Sequence, residues 1–596
     1  ISTLLREDRI GLNMVLPQPG KPSVINIFFA NSPFRIKFIY SIGYFKTQLL
    51  LVFFSLLITS CSNTNEDDLV QRGGAPLLSG LGTHDHKIST EIPGAQRYFN
   101  QGLVLSFAFN HAESIRSFKA AQKLDPSCAM CYWGEALSRG PNINVTSDGK
   151  VVMSDNDRLE AFKAIERAKE LMSSSTLKEQ DYIIALSSRY NGQVGTDRSV
   201  LDRKYAQSME ELSKKYPDDM DASSLFAESL MNTMPWNYWA EDGNPKPDTV
   251  KVINSLEDVL EKAPDHPLAI HLYIHAVEAS SSPERAEAAA DRLGDLVPGA
   301  GHLVHMPAHI YWRVGRYHDA SEANIRAAQV DEEYIAQCNA QGFYPALYYP
   351  HNIHFLWAAS TMEGRSGLSI ESALKVAKYV GPEQIKQFPV VEFFHTVPLL
   401  SYVRFGKWKE ILSYSAPEQD FKYSTGIYHY ARGIAFSSLG KNEEALKELS
   451  YIKPLIDTPE IKNLVKSGQP SAKLLEIADN LLLGQIEFKN GNYEASIISL
   501  KKAVSLQDDL PYTEPPFWYY PTRQSLGRVL IEAGKFAEAE AVFRKDLEDY
   551  PRNGWSMFGL FKVLEIQGKT KEAKKYKDKF DVIWQLSDIK LESSVI

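Results

Sequence analysis

The chain is poor in cysteine, with four in 596 residues, so a disulfide-dense scaffold is excluded. It also lacks an excess of positive charge. Lys and Arg total 65 against 74 Asp and Glu, a formal net charge of −9, so there is no basic footprint for nucleic acid. No Gly-rich phosphate loop, G-x-S-x-G or H-E-x-x-H occurs, and these absences remove common signatures of nucleotide binding, serine hydrolysis and zinc proteolysis. No apolar run has the length of a membrane span. The stretch Leu49–Ile58 is too short and fits a signal-peptide core. What remains is ordinary globular composition, 44% hydrophobic and 23% charged. At this length one compact core is not expected, so the chain folds as several domains or as a repeat array.

Lys46 precedes the apolar run, and Leu57-Ile58-Thr59-Ser60-Cys61 follows. This pentapeptide resembles a bacterial lipobox, which implies that Cys61 is lipidated and becomes the first mature residue. An ordinary signal peptide or a short buried segment is the alternative reading. Residues 1 to about 40 are set aside as upstream leader, so 1–60 is read as leader plus lipoprotein signal peptide. The following segment, 61–92, is polar, acidic and then Gly-rich and reads as a flexible tether. Its acidic start resembles the surface-export signals of Bacteroidetes-type lipoproteins. The resemblance implies a cell-envelope protein, anchored to the outer membrane by its lipid and either periplasmic or surface-exposed.

Internal periodicity organises the rest. In "YPTRQSLGRVLIEAGKFAEAEAVFRKDLEDYP", Leu526 and Gly527 take the close helix–helix contact and Gly534 the turn. Phe536, Ala539 and Phe543 form the second helix's core face, and Pro551 is the stop. The same punctuation recurs at Leu483, Gly484, Gly491, Tyr493 and Ala503, and near the other end at Gly102, Phe118, Ala121 and Pro126. These segments resemble the tetratricopeptide repeat. In the middle, Pro217, Pro264 and Pro298 each precede a new helical apolar run. The resemblance implies an all-α fold, an α-solenoid of stacked antiparallel helix pairs in a right-handed superhelix with a concave inner face. Hairpins are expected at about 95–126, 129–170, 178–217, 220–264, 267–298, 301–333, 350–380, 392–415, 426–455, 477–510, 520–551 and 554–585. They group into N-terminal units over 93–217, central units over 218–415 and C-terminal units over 416–596.

Nine of the 14 histidines lie between His266 and His354. His302, His305 and His309 stand at i, i+3 and i+7, on one face of a helix. In tetratricopeptide repeats the ligand-facing residues come from the first helix of each unit. Carried over by register, this implies that His302, His305 and His309 face inward, with His271, His275 and Glu278 from the preceding unit. His351 and His354 follow from the next unit, and Asp221 and Glu228 come from the unit starting at Met220. Imidazole is the commonest protein metal ligand, so these seven histidines are candidate ligands for a divalent ion, Zn, Fe or Cu. Glu278 and Glu228 are the candidate general bases or extra ligands. A metal-free polar pocket and a structural polar network are the other readings. His318 and His429 are expected to be structural, and His395 is within reach of the pocket from the next unit.

Other chemistry is sparser. Cys128 and Cys131 make a single C-x-x-C, read as two packed thiols with a local disulfide as the alternative. "RGPNIN" and "MPWNYW" are candidate rim loops, and "TEPPFWYYPTR" is an aromatic loop read as packing between units. Two functions follow. One is a membrane-anchored solenoid that binds a metal and uses it on a small substrate. The other is an adaptor that holds a protein or peptide partner on its C-terminal units, where Gln485, Gln524 and Arg528 replace the histidines.

Overall fold

The computed structural model describes residues 10–14, 23–29, 35–40, 66, 68–145, 153–240, 242–338, 340 and 343–596, the first three segments as backbone. Residues 1–77 and 78–596 are separate compact units. In the first, the strands β1 (Ile10–Met14), β2 (Ser23–Phe29) and β3 (Arg35–Tyr40) form an antiparallel sheet of order β1-β2-β3. Ile10 pairs with Phe29, and Ser23 with Tyr40. The sequence reading set this stretch aside as leader, yet its β-branched and aromatic runs suit strands. Cys61 and the apolar run before it lie outside the described residues. Among the described residues no helix is long and apolar enough to cross a membrane.

The second unit is the expected all-α solenoid, a succession of antiparallel helix pairs from Pro93–Phe107 and His111–Leu124 to Gly554–Ile566 and Thr570–Ile583. Each hairpin read from the sequence corresponds to one such pair. The pairs form because small and large residues interlock across each hairpin. Phe543 is fully buried between Gly527 and Gly559, where an added Cβ would lie 2.3 Å from its ring on either side. Phe118 is buried in the same way against Gly102 and Gly134.

Two features place the site. First, both ends of the solenoid fold back onto the middle. At the C-terminal end, Trp555 Nε1 donates to the carbonyl of Thr361 at 3.1 Å, and Asp588 accepts the amides of Ser366 and Gly367. At the N-terminal end, Tyr334 donates to Asn110. Second, the helix begun at Gly301 is interrupted at Met306, with one segment at Gly301–His305 and the next at Pro307–Val314. Pro307 has no N–H to continue the ladder, so the three histidines there do not share one straight helix.

Residues 78–92, expected as part of a free tether, instead run along the solenoid as a strap. Leu78 N donates to Gln101, Gly299 N to the Gly80 carbonyl, Ser89 N to Glu179 at 2.6 Å, and Thr90 Oγ1 to Asp125. The partners lie outside the strap, so local composition gave no sign of them. Cys128 and Cys131 are joined in a disulfide, which corrects the reading as packed thiols. Cys128 caps the helix Ala129–Ser138 and so faces Cys131 one turn on.

Candidate metal centre

The centre is built on three successive first helices. Pro267–Val277 carries His271 and His275, and its C-cap residue is Glu278. The interrupted helix from Gly301 carries His302, His305 and His309. Tyr349–Met362 carries His351. Gly301 is required where the second of these begins, because a Cβ there would sit 2.0 Å from the Asp331 carboxylate. Tyr344 donates to that carboxylate and accepts the His302 amide, fixing the start of the helix.

Two triads of imidazoles result. The nitrogens of His271, His275 and His302 lie within 4.8 Å of one another, and so do those of His305, His309 and His351. The triads adjoin, with ring centroids 5.4 Å apart for His275 and His309, and 5.9 Å apart for His302 and His305. All are buried except His351, which is partly so. Phe109 closes one side, its ring 4.5 Å from His271 and 5.5 Å from His302. It holds φ at +55°, a sparsely populated conformation for a residue with a side chain.

The Nδ1 atoms carry the chemical information. His271 Nδ1 meets the Phe107 carbonyl at 2.7 Å, and His305 Nδ1 meets Asn324 Oδ1 at 2.7 Å. Glu278 takes His275 Nδ1 on one oxygen at 2.8 Å and His309 Nδ1 on the other at 2.6 Å. An oxygen acceptor holds the ring hydrogen on Nδ1, which leaves the Nε2 lone pair free. His271 Nε2, His275 Nε2 and both nitrogens of His302 are buried without a hydrogen-bond partner. His305 Nε2 and His309 Nε2 face each other at 2.9 Å.

Electrostatics follow from this packing. Burial, with repulsion from neighbouring imidazoles, holds His271, His302, His305 and His351 well below the ordinary histidine range. Burial also depresses His275, against the pull of Glu278. Burial would depress His309 as well, but Glu278 and Glu514 outweigh it and raise it to about 10. Burial would raise Glu278, yet His309 and His275 hold it below the usual carboxylate range. The opposite balance obtains at Glu514, where burial and the nearby Glu278 push it up to about 7.

Among the residues picked out from sequence, His271, His275, His302, His305, His309 and His351 are brought together with Glu278 beneath them. His354 is not. Its ring stacks on Trp357 at 5.0 Å and against Phe393 and Phe394, which hold it in an aromatic cluster. Glu228 is also elsewhere, pushed up to about 7 by burial against the pull of Arg189 and Asn232. His395 meets the Val380 carbonyl, His318 meets Glu363 and His429 meets Glu448.

Glu514 was missed. It reaches His309 Nδ1 at 3.4 Å and accepts the Tyr512 hydroxyl, and it comes from the aromatic loop read as packing. No local signal could have found it, since its partner lies on a unit far earlier in the chain. The rim loops are where expected. Trp236 packs on His275 at 5.1 Å and donates to Asn144, which donates to Tyr348, whose ring lies 4.7 Å from His302.

The tetratricopeptide repeat family model matches residues 95–128 and 480–510, and these segments are tetratricopeptide repeats. No curated protein matches the sequence. Among solved structures, the human IFIT1 dimer with PPP-AAAA is similar at a TM-score of 0.31 and 13% identity, over 82% of this chain and 90% of that one. The APC/C hetero-tetramer Cut9–Hcn1 is similar at 0.25 and 11% identity, over 83% and 88%. Likeness at this level says nothing of function.

Proposed function

We propose that the chain is a helical-repeat protein whose inner face binds a transition metal through the paired imidazole triads. The observation that supports this most is the tautomer arrangement. Four rings have Nδ1 tied to an oxygen, and two of them, His271 and His275, keep an Nε2 that is buried without a partner, as are both nitrogens of His302. Leaving such nitrogens unpaired costs free energy, of order 1–3 kcal/mol each, that coordination recovers. Imidazole-rich sites suit Zn, Cu or Fe rather than Mg or Ca. Three imidazoles per ion leave a position open, as in catalytic rather than closed structural sites. An ion so held polarises a carbonyl or lowers the pKa of bound water. On this reading the chain's own residues set the conditions. Glu278 orients His275 and His309, Phe109 excludes water on one side, and Trp236, Asn144 and Tyr348 form the rim by which a small substrate enters.

The test is elemental analysis of the purified full chain. His305→Ala should lower metal content severalfold and His318→Ala should leave it unchanged. Equal content in both variants would remove the metal reading and any enzymatic role with it.

A second reading concerns the C-terminal units, since tetratricopeptide repeats mediate protein interactions. The guanidinium of Arg528 from these units and that of Arg404 from the last central unit line one pocket together with Tyr430, Tyr519 and Tyr520. Each has an Nε without a partner, and the pocket therefore suits an acidic group of a protein or peptide partner. The envelope location rests on Cys61. Replacing it by Ala should release the protein from the membrane fraction.

A further inference from the structure

A second cluster lies outside the triads, where the strap crosses the unit starting at Met220. We propose that His84, His266 and Asp221 form a separate binding site for a divalent first-row cation of the zinc type. The Asp221 carboxylate is met at Oδ1 by His84 Nε2 at 3.0 Å and by His266 Nε2 at 3.1 Å, and at Oδ2 by His86 Nδ1 at 2.7 Å. The three candidate ligand atoms lie within 4.8 Å of one another. Metal bonds of about 2.0–2.1 Å at the tetrahedral angle put neighbouring ligand atoms about 3.3–3.4 Å apart. The N···O separations seen here are thus close to the edges of a coordination tetrahedron. Only slight opening admits an ion in place of the hydrogens.

What sets Asp221 apart is its company. The cluster opens into a pocket of about 490 Å³ that also holds Asp85, Asp219 and Asp265. Each of these three has a conventional cation, namely Lys87 at 2.9 Å, Lys178 at 2.8 Å and Arg292 at 3.1 Å. Asp221 is buried and its ion-pair partners are imidazoles alone. A buried carboxylate supplied only with groups that are also good ligands is the donor set of a His-His-carboxylate zinc site. His86, bonded to the second oxygen, orients the carboxylate and is a positioning residue. The fourth position faces the open pocket.

Proton balance constrains the exchange. His266 Nδ1 accepts the Ala269 amide at 3.3 Å, so in the ion-free protein its hydrogen is on Nε2 and is donated to Asp221. Binding moves that hydrogen to Nδ1 and gives up the amide contact, which is the longest in the cluster. His84, which also meets Asp221 through Nε2, makes the same shift. The carboxylate exchanges two N–H donors for one cation.

The alternative is a purely structural lock that fastens the strap. His84→Gln separates the two, because the amide keeps an N–H for Asp221 but is a poor metal ligand. Zinc titration by calorimetry on the full chain, in a background carrying both His271→Ala and His305→Ala, isolates this site from the two triads. The expected result is one equivalent lost on adding His84→Gln and kept on adding His84→Asp, which restores a ligand. Ser89→Ala, which loosens the strap at Glu179 only, should also keep it. If His84→Gln binds as many equivalents as His84→Asp, the cluster is a lock and the proposal fails. Loss of zinc by Ser89→Ala as well would overturn it too, since binding would then report strap attachment. The triad reading is untouched by either result, because His305→Ala against wild type tests it alone.

Discussion

The central and C-terminal units share one architecture but line their inner faces by different means. Six imidazoles are stacked around Glu278 in the central units, five of them buried. In the C-terminal units Arg528 lines a pocket among tyrosines, together with the buried Arg404 from the last central unit. Imidazole can shed its proton and enter a core as a neutral group with a lone pair. Guanidinium cannot, so its charge must be met by π faces and amide oxygens. Arg404 accordingly lies 3.5 Å over Trp555 and 4.8 Å over Tyr520 while donating to Gln524, and Arg528 lies over Phe488 and donates to Gln485. One surface presents neutral lone pairs and the other fixed positive charge. The difference is side-chain chemistry placed on equivalent helices.

The largest effect expected is at the centre of that contrast. His305→Ala should cut metal content severalfold, and Arg404→Met should leave it unchanged, both read by elemental analysis. If Arg404→Met also removes metal, the two faces are not independent.

Glu278→Gln comes next. It removes the acceptor that orders two rings, and supporting groups of this kind are worth roughly 10–100-fold in metal affinity. Competition with a chelator of known affinity measures it, and Glu228→Gln, outside the cluster, should shift the same curve far less.

A pH test reaches the edge of the central region. Burial lowers His354 to about 3, against roughly 6.5 in the unfolded chain. The folded state thus binds this proton less readily, so stability is complete above pH 6.5 and falls as pH drops toward 3. His354→Phe, which can still stack on Trp357, should remove about 2 kcal/mol of the loss between pH 7 and pH 5. Chemical denaturation of both proteins at the two pH values decides it, and parallel losses would show that His354 titrates normally.

Smaller still, Arg404→Met should cost about 1–2 kcal/mol at neutral pH through the lost π and amide contacts. His318→Ala, at a half-exposed pair with Glu363, should change stability by less than about 0.5 kcal/mol. Denaturant midpoints order these two, and an inverted order would mean that the Arg404 charge is a burden its aromatic neighbours do not offset.

The repeat register, and the grouping of six of the seven candidate histidines, were legible in the sequence. Gly527, Phe543 and Pro551 mark a unit by spacing alone, and His302, His305 and His309 are visible as a helical face even though Pro307 breaks the helix between them. Glu228 and His354 were misplaced because a register is good to a residue or two, while one residue turns a helical side chain by 100°. The strap was misread because "GLGTHDHK" is polar and Gly-rich, and its anchors Asp221 and Glu179 lie on helices far along the chain.

The sequence by itself therefore determined the helices, their pairing and the concentration of imidazoles on one set of inner positions, since periodicity and Gly–aromatic spacing act within a single hairpin. Only the tertiary structure decided that His271, His275, His305 and His309 have Nδ1 tied to an oxygen. The acceptors that set this choice, the Phe107 carbonyl, Asn324, Glu278 and Glu514, come from other helices and in part from the two ends of the solenoid. The superhelix brings those ends to the middle, and contacts between distant units leave no trace in local spacing.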